Sequence, residues 1–427
     1  MALAGCGSAT NPRSAGTPTP IRIGAIYPLT GPQGGVGGGL SEERGVQLAA
    51  DWVNQHGGVN GRPVTLDVMD VPTAESVPSA LAALQARHID LVVGTHGSTM
   101  SAVAAQIARQ RHLLLWETGA VGDTTMTDPG DSAWSESDTG PSPVAGMGTS
   151  FFRMAPQGSS LGRAGIDFVL RQLAPKLPGH PALRVAVAYV NDVYGQAVAA
   201  GVIDQVRADH VALAGVFPYP EYGANFTQLA AAIKRSGADV LYSSSYLADG
   251  EALRLATIAA RVPLVANVGT SSSYCLPAFG QQLQGAAVGL FASDKSAAYS
   301  LNPAGLLPQG RTTLAWAQAQ WKQRYGGEMD AYATSGFANA DALFADVLPA
   351  AASLKPSAVA AAATTVKLPA GTLADGSGLN FPAQGAGRGE NQAAASVIWE
   401  WVAPGKEAVV WPPAYATRSF SVLPIDA

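Results

Sequence analysis

The segment Gly97-Ser98-Thr99-Met100-Ser101 offers the clearest binding chemistry in the chain. It lies between a predicted strand and a predicted helix, so serine and threonine hydroxyls meet the free backbone N–H groups of a helix start. Such an arrangement suits a carboxylate ligand. The same residues could equally form an ordinary helix N-cap, and the pattern taken alone favours that structural role.

Two tyrosines follow predicted strands further along the chain. Tyr194 lies in the motif NDVYG and Tyr246 in the motif SSSYLADG. A single tyrosine at a strand end packs more often than it contacts a ligand. Two of them in the same half of the chain strengthen the case for an aromatic wall over a small ligand.

No catalytic or cofactor motif accompanies these residues. The glycine-rich run Gly34–Gly39 does not match the G-x-G-x-x-G fingerprint, and the sequence has no P-loop. The G-x-S-x-G, H-E-x-x-H and EF-hand patterns are also missing, and GAGRG at 385–389 is interpreted as a turn. The sequence therefore predicts no catalytic residue, no metal site and no cofactor, and no motif supports an enzyme.

Composition indicates a loop-rich globular protein. The 427 residues are 47% hydrophobic and only 13% charged, with 48 Gly and 29 Pro. This length suits two ordinary domains. The net charge of −5 provides no basic field for nucleic acid or anionic lipid. No apolar run reaches the roughly 18 residues that a membrane-spanning helix needs.

Strands and helices alternate from Ile21 onward, which predicts an α/β fold with parallel sheets covered on both faces. The predicted strands of the first half are Ile21–Tyr27, Val64–Asp70, Leu91–Gly94 and Leu113–Trp116. The helices predicted between them are Glu42–Gln55, Val77–Ala86 and Ser101–Arg109.

A polar stretch rich in Gly, Pro and Asp, Gly119–Ser150, interrupts this alternation and predicts a long loop at the end of a first lobe. A second series of strands is predicted at Arg184–Tyr189, Val211–Phe217, Val240–Ser243 and Leu264–Asn267. Its predicted helices are Ser160–Leu173, Gly195–Asp209, Phe226–Arg235 and Gly250–Ala260. Two series of similar order indicate two similar lobes with a cleft between them.

The last third of the chain is less regular. Helices are predicted at Thr313–Tyr325, Phe337–Ala351 and Ala358–Thr365. A glycine-rich loop follows at Leu368–Asn391, and Ala394–Val402 with Val409–Val410 is predicted to form a closing hairpin.

Several motifs, taken in order, resemble the branched-chain amino-acid-binding type of periplasmic solute-binding protein, the extracytoplasmic receptors of ABC importers. The motifs are IRIGAIYPLTGP, GGVNGRPVTLDVMD, LVVGTHGSTMSAVAAQIA, FRMAP, VAVAYVNDVYG and YGANFTQLAAAIKRSGADVLY. Each is weak alone. Their number, order and spacing, from Ile21 to the C-terminal strands, make the resemblance specific.

The resemblance implies a type I periplasmic binding fold, in which two Rossmann-like lobes are joined by three crossing strands and close on a ligand. Residues 21–153 plus 294–378 would form the N-terminal lobe. Residues 154–293 plus 379–427 would form the C-terminal lobe, and residues 1–20 a lipobox and flexible tether. The break at 119–150 agrees with the first boundary, whereas the later crossings depend on the resemblance alone.

The resemblance also implies ligand contacts. Ser98, with Thr99 beside it, matches the position that holds the ligand carboxylate, and this favours binding over N-capping. Gly119 matches a position whose carbonyl accepts from the ligand amine. Tyr194 and Tyr246 match aromatic residues that cover the ligand from the second lobe.

Three departures from the amino-acid binders bear on the ligand. Val268 stands where the relatives place an acid opposite the ligand ammonium, Val121 where they have a threonine, and Val36 where they have an aromatic residue. A buried ammonium without an anion would cost several kcal/mol. Either the ligand lacks an α-ammonium, or Glu117 at the end of a first-lobe strand supplies the charge.

Alternatives stay open around these departures. Glu117 could instead be a solvated carboxylate or a hydrogen-bond acceptor at the hinge, and Trp116 beside it is expected to pack rather than to stack on a ligand. A shift of one residue in the comparison near Val268 would offer Asn267 in its place.

The two cysteines are Cys6 and Cys275. Leu3-Ala4-Gly5-Cys6 resembles a bacterial lipobox and is followed by a tether rich in Ser, Thr, Pro and Gly, which predicts lipid attachment at Cys6. No basic or apolar leader region precedes the motif, so either the chain start is late or the match is chance. A disulfide between the two cysteines stays possible, and otherwise Cys275 would be a small core residue.

The resulting hypothesis is a non-catalytic, extracytoplasmic solute-binding protein of an ABC importer that binds an amino acid or a related small carboxylate or amide. It implies ABC permease and ATPase subunits as partners, membrane contact through the lipid anchor only, no nucleic acid, and a monomer. The alternative is a cytoplasmic ligand sensor of the same fold, similar to amide-sensing regulators, which the missing leader would fit.

Overall fold

The computed structural model describes residues 18–126, 139–140, 149–179, 182–385, 387–422 and 425. Cys6 and most of the predicted tether lie outside the described residues, as does most of the predicted loop Gly119–Ser150. Among the described helices, none combines the length and the apolar character that crossing a membrane requires.

The first half of the chain forms a five-stranded parallel sheet and a small separate pair of strands. Its strands are β1 (Ile21–Tyr27), β2 (Val64–Asp70), β3 (Leu91–Gly94), β4 (Leu114–Glu117), β5 (Thr125–Met126), β6 (Thr139–Gly140) and β7 (Phe151–Arg153). The sheet order is β2-β1-β3-β4-β7, and β5 pairs with β6 antiparallel. The helices between the strands are α1 (Gly39–Gln55), α2 (Val77–Ala86) and α3 (Ser98–Arg111).

The second half forms a seven-stranded sheet. Its strands are β8 (Arg184–Val190), β9 (Ala212–Tyr219), β10 (Val240–Ser244), β11 (Ala266–Thr270), β12 (Phe291–Asp294), β13 (Val397–Ala403) and β14 (Lys406–Trp411). The order is β14-β13-β12-β11-β10-β8-β9, in which β13 alone runs antiparallel to the other strands. The helices of this half are α4 (Gly158–Phe168), α5 (Val193–Ala208), α6 (Phe226–Ser236), α7 (Leu247–Ala259) and α8 (Pro277–Leu283).

The remaining helices pack mainly on the first sheet. They are α9 (Pro308–Tyr325), α10 (Ala331–Asp341), α11 (Leu348–Ala350) and α12 (Pro356–Thr365), with a π-helical segment at Ala342–Val347. Residues of α9, α10 and α12 share one hydrophobic core with β1 and α1. Because α1 carries Gly45 at the crossing with α10, the two backbones approach so closely that a Cβ there would lie 2.1 Å from the Ala333 carbonyl oxygen. This crossing brings Tyr332 of α10 to the cleft.

Local sequence explains why the elements around the cleft begin where they do. The nearly continuous apolar run RVAVAYV is buried along all of β8 except its first residue, as expected for a strand covered on both faces. Asp192 caps α5 by accepting from the Gly195 N–H, and Asp330 caps α10 by accepting from the Ala333 N–H.

Most predicted elements are present, with shifted ends. The strands β1, β2 and β3 and the helix α2 have the predicted bounds, and the closing hairpin is confirmed as β13 and β14. Besides the two-residue strands β5 and β6, which fall in the predicted loop Gly119–Ser150, three elements were not predicted, namely β7, α8 and β12. All three are short, with three, seven and four residues, so they carry little periodic signal.

The predicted bounds of the strand at Leu264–Asn267 were wrong. The Leu264 N–H bonds to the Val262 carbonyl in a turn, and sheet pairing begins only at Ala266. The strand β11 therefore extends to Thr270, and Val268 lies in its middle rather than after its end.

Candidate functional site

A small cavity lies between the carboxyl ends of the two sheets, and its free volume of about 10 Å³ is no more than one water molecule needs. Most of its lining residues directly follow strands of one sheet or the other, which is where ligands bind in open parallel sheets. The lining comprises Gln33, His96, Gly97, Ser98, Gly119, Val121, Tyr194, Tyr246, Ser271, Ser272, Lys295 and Tyr332.

Ser98 is the first residue of α3, and the N-cap is Gly97. The N-cap therefore falls within the segment Gly97–Ser101, as the structural alternative predicted, but no side-chain hydrogen bond caps the helix. The buried Ser98 Oγ accepts a hydrogen bond from the Gly122 N–H at 3.0 Å. Because a hydroxyl also has a proton to donate, Ser98 can still serve an acceptor in the cavity, next to the N–H groups of the first turn of α3.

Gly119 lies in the segment after β4, and its carbonyl oxygen accepts from Lys295 Nζ at 2.9 Å. Lys295 directly follows β12 of the other sheet, so this bond joins the two sides of the cavity. A Cβ at residue 119 would lie 2.1 Å from a carboxylate oxygen of Glu42, which explains the glycine.

Three tyrosines line the cavity. Tyr194 and Tyr246 come from the second sheet, with ring centroids 5.6 Å apart, and the Tyr194 hydroxyl donates to the Ser271 carbonyl oxygen. Tyr332 comes from α10, and its hydroxyl accepts from the Ser272 N–H at 2.6 Å. This bond is a second direct connection across the cavity.

Asp192 supports the tyrosine wall from outside the cavity. The Tyr246 hydroxyl donates to Asp192 Oδ2 at 2.6 Å, while the Gly195 N–H donates to Oδ1 at 2.8 Å. Burial raises the pKa of Asp192 to about 6, with a smaller contribution from the negative charge of Glu221.

His96 connects the cavity to a buried polar chain. Its Nδ1 lies 2.7 Å from Glu42 Oε2, and its Nε2 lies 3.1 Å from the Gly37 carbonyl oxygen. The Thr118 hydroxyl donates to the other Glu42 oxygen at 2.5 Å. The Glu42 carboxylate is therefore satisfied by residues on its own side of the cleft.

Glu117 was predicted as the substitute counter-charge for a ligand ammonium, and its surroundings argue against that role. Its carboxylate is fully buried, does not line the cavity, and accepts six hydrogen bonds within the protein. The donors are Thr95 N and Oγ1, His96 N, Ser101 Oγ, Gly119 N and Ala120 N. This carboxylate holds the two loops after β3 and β4 together and has no capacity left for a ligand.

Trp116 packs, as predicted. Its Nε1–H donates to the Asn339 carbonyl oxygen at 2.8 Å, and its ring stacks on Phe152 with centroids 5.9 Å apart. It is fully buried in the core of the first sheet and does not reach the cavity.

Val268, which was predicted to contact the ligand, is fully buried in the core of the second sheet and does not line the cavity. The alternative, Asn267, is also fully buried and accepts from the Tyr274 hydroxyl at 3.1 Å. Because β11 ends at Thr270, it is Ser271 and Ser272 that reach the cavity from this strand. The sequence analysis therefore aligned this segment with the family motif three to four residues too early.

Two further residues singled out in the sequence, Val36 and Thr99, do not line the cavity. Val36 is 70% exposed and lies away from the cavity, while Gln33 of the same loop lines it. Thr99 is exposed and lines an adjoining outer groove instead of the cavity. The groove has an empty volume of about 710 Å³ and shares Gln33 and Tyr246 with the cavity, so the two spaces adjoin at these side chains.

A larger surface groove, of about 860 Å³, lies beside the starts of β4 and β7, where His112, Ser150 and Arg388 line it. These are the amino ends of the strands, whereas ligands in such sheets bind at the carboxyl ends. The inner cavity is therefore the better candidate for the site.

The sequence analysis missed seven of the twelve residues that line the cavity. The missed residues are Gln33, His96, Gly97, Ser271, Ser272, Lys295 and Tyr332, of which Gly97 lay within the recognised motif. The run Ser271-Ser272-Ser273 would have been a signal if β11 had been predicted to end at Thr270. Lys295 follows a short unpredicted strand, and Tyr332 lies on a helix predicted to begin only at Phe337, so neither had a local signal.

Comparison with known proteins identifies the family and the fold. The sequence profile of the periplasmic binding protein family matches residues 20–394. Leu/Ile/Val-binding protein homolog 8 of Brucella abortus (strain 2308) is 25% identical over 401 residues, which cover 92% of this chain and 90% of that protein.

Two solved structures share the architecture. A leucine-binding protein of Thermotoga maritima has a TM-score of 0.71 and 16% identity, covering 91% of this chain and 97% of that one. A solute-binding protein of an R. palustris ABC transporter, solved with benzoate, has a TM-score of 0.68 and 14% identity, covering 95% and 99%. The predicted fold class, two mainly parallel α/β sheets of the type I periplasmic binding kind, is confirmed.

Proposed function

Because the chain belongs to the periplasmic binding protein family, which consists of solute-binding proteins and not of enzymes, we propose that it is the solute-binding protein of an ABC importer. The observation that carries this proposal is the cavity at the carboxyl ends of both sheets, lined from both sides. The family implies a location outside the cytoplasm. The proposed partners are a small-molecule ligand and the permease and ATPase subunits of the importer.

The ligand class that we propose is an amino acid or a related small carboxylate or amide. Ser98 at the start of α3 supports a carboxylate, because free N–H groups and the helix dipole attract anions there. The relatives support both kinds of ligand, since one is a leucine-binding protein and another was solved with benzoate, a carboxylate without an amine.

The proposed motion is closure of two lobes on the ligand, with residues 21–153 plus 294–378 on one side and 154–293 plus 379–427 on the other. The bond between Ser272 and Tyr332 supports it, since it joins the two sides at the cavity itself. Contacts from both sides let a ligand favour the closed arrangement over the open one. We further propose that Cys6 carries a lipid anchor and that the protein acts as a monomer.

A conservative change in the cavity wall tests the binding site. Compounds released from the purified protein are identified by mass spectrometry, and their affinities are measured by calorimetry for the wild type and for Tyr194→Phe. We expect Tyr194→Phe to bind about tenfold more weakly, because it removes one polar group of the cavity wall.

Tyr242→Phe is the matched control for this experiment. Tyr242 is also a buried tyrosine of the second sheet whose hydroxyl donates to a backbone carbonyl, that of Leu161 at 3.2 Å, but it does not line the cavity. It should retain wild-type affinity. Equal affinity in both variants would contradict the proposed site, and uptake of the released compound that does not depend on this protein would contradict the importer role.

A further inference from the structure

Lys295 is the charged group in the cavity whose surroundings leave it open to a ligand. It is 1% exposed and lines the cavity from the end of β12. Its Nζ donates to the Gly119 carbonyl oxygen at 2.9 Å and lies 4.9 Å from the centre of the Tyr332 ring. An ammonium has three N–H donors, and among the described residues only this one hydrogen bond and no ion pair engages it.

The acidic side chains around Lys295 are engaged elsewhere. Glu42 binds His96 and Thr118, and Asp294 accepts from the Ser271 hydroxyl at 2.5 Å and from the Cys275 thiol at 2.7 Å. Asp375, the other carboxylate that feels the charge of Lys295, accepts from Ser377 N and Oγ. None of the described residues that line the cavity is acidic.

The rest of the lining adds donors rather than anions. The start of α3 presents N–H groups and Ser98, while Ser272 adds a hydroxyl group. A buried cation together with a helix N-terminus creates a positive potential, which is stronger in a water-poor cavity than in solvent. A ligand ammonium would meet this potential without an opposing anion and would compete with Lys295 for the Gly119 carbonyl.

We propose that Lys295 is a specificity-determining residue of the proposed binding site, where it donates to an oxygen of a small organic acid that carries no α-ammonium. The inference rests on the proposed function and narrows its ligand class to unsubstituted, 2-hydroxy and 2-oxo acids. The protein's own ammonium occupies the acceptor that an α-amine would need, so Lys295 attracts the acid and excludes the amino acid with the same side chain.

The test compares matched acids that differ only at the α-carbon. Protein stripped of co-purified compounds by unfolding and refolding is titrated in a calorimeter with L-leucine, 4-methyl-2-oxopentanoate and 4-methylpentanoate, and with L-alanine, lactate and pyruvate. We expect the wild type to bind the acids without an ammonium at least about tenfold more tightly than the amino acid of the same set. This measurement needs no variant and so does not depend on the folding of one.

The variant Lys295→Met should then reverse the preference. It should lose about tenfold or more in affinity for the acids while affinity for the amino acids stays equal or rises. Lys367→Met is the matched control, because Lys367 Nζ also donates to a backbone carbonyl, that of Phe381 at 2.7 Å, but lies away from the cavity. It should bind as the wild type does.

Two results would overturn the inference, and a third concerns the site itself. The inference fails if the wild type binds the amino acid of a set as tightly as its oxo acid, or if Lys295→Met weakens both by the same factor. Binding of no acid of either kind, together with a normal affinity of Tyr194→Phe for the released compound, would instead contradict the proposed site.

Discussion

Glu117 and Lys295 are both buried charged side chains beside the same cleft, and they differ in how much of their charge the protein itself satisfies. Glu117 accepts six hydrogen bonds from residues on its own side of the cleft. Among the described residues, Lys295 donates one hydrogen bond, to the carbonyl of Gly119 after a strand of the other sheet. Glu117 is a structural charge that the protein itself satisfies. Lys295 has N–H donors in the cavity that no described residue engages.

The comparison shows why residue type alone does not identify a ligand contact. A carboxylate at a strand end near a cleft matches what an amino-acid site needs, yet the loops after β3 and β4 fold around Glu117 and use both of its oxygens. A buried charge that the protein satisfies completely is a structural group. One that it satisfies in part is where a ligand can contribute binding energy.

The largest effect is expected at Glu117. Glu117→Gln keeps the volume of the side chain but puts an amide NH₂ among donors that need an acceptor. The free energy of unfolding should fall by about 2–4 kcal/mol in urea denaturation, since buried hydrogen bonds to a charged group are lost and donors are left unpaired.

Glu43→Gln is the control for this substitution. Glu43 is also buried, in α1, but its carboxylate accepts from one side chain, that of Gln47 at 2.6 Å. The control should lose less than about 1 kcal/mol. A Glu117→Gln variant as stable as Glu43→Gln would mean that Glu117 is not a framework charge.

A smaller effect on stability is expected at Lys295, although the residue is equally buried. Lys295→Met should change the free energy of unfolding by less than about 1 kcal/mol or raise it, because replacing a poorly compensated buried charge by an apolar side chain of similar size removes a desolvation cost. Denaturation of the ligand-stripped protein measures this. A loss as large as that of Glu117→Gln would remove the distinction between the two charges.

The third effect concerns the pH dependence of stability and Asp192, which lies between Glu117 and Lys295 with two internal hydrogen bonds. Burial raises its pKa from 3.8 to about 6 in the folded protein. The folded state therefore holds this proton more tightly than the unfolded state, and its contribution makes the protein less stable as pH rises from about 4 to about 6.

Asp192→Asn should reduce the change in the free energy of unfolding between pH 4 and pH 6 by about 1 kcal/mol. The full pKa shift would correspond to a larger change, but solvent screens part of it at this partly exposed site. Melting temperatures from pH 4 to pH 7 for the variant and the wild type provide the measurement. Identical pH profiles would show that the Asp192 carboxyl titrates as it does in the unfolded chain.

The fold was largely predictable because its signals are local. The buried runs of β1 and β8 and the alternation of strands with amphipathic helices are visible within windows of ten to twenty residues. Predictions of strand ends were weaker, and this had consequences for the site. An error of three residues at the end of β11 put Val268 into the predicted site and left out Ser271 and Ser272.

The candidate site was predictable where a motif carried it and not elsewhere. Ser98, Gly119, Tyr194 and Tyr246 line the cavity as the motifs indicated. Val121, noted as a departure, lines it too. Lys295 is 176 residues from Gly119 along the chain, and Tyr332 is 60 residues from Ser272, so no sequence window could pair them.

The sequence by itself determined the family, the two series of alternating elements and the glycine and hydroxyl residues at the strand ends. These features depend on backbone geometry and on the burial of apolar runs, which neighbouring residues dictate. Only the tertiary structure decided which buried charge lines the cavity and which is enclosed by the protein, because that depends on how many donors and acceptors distant loops bring to each side chain. Within the part of the chain that the structure describes, six donors surround Glu117, whereas one of the three N–H donors of Lys295 is engaged.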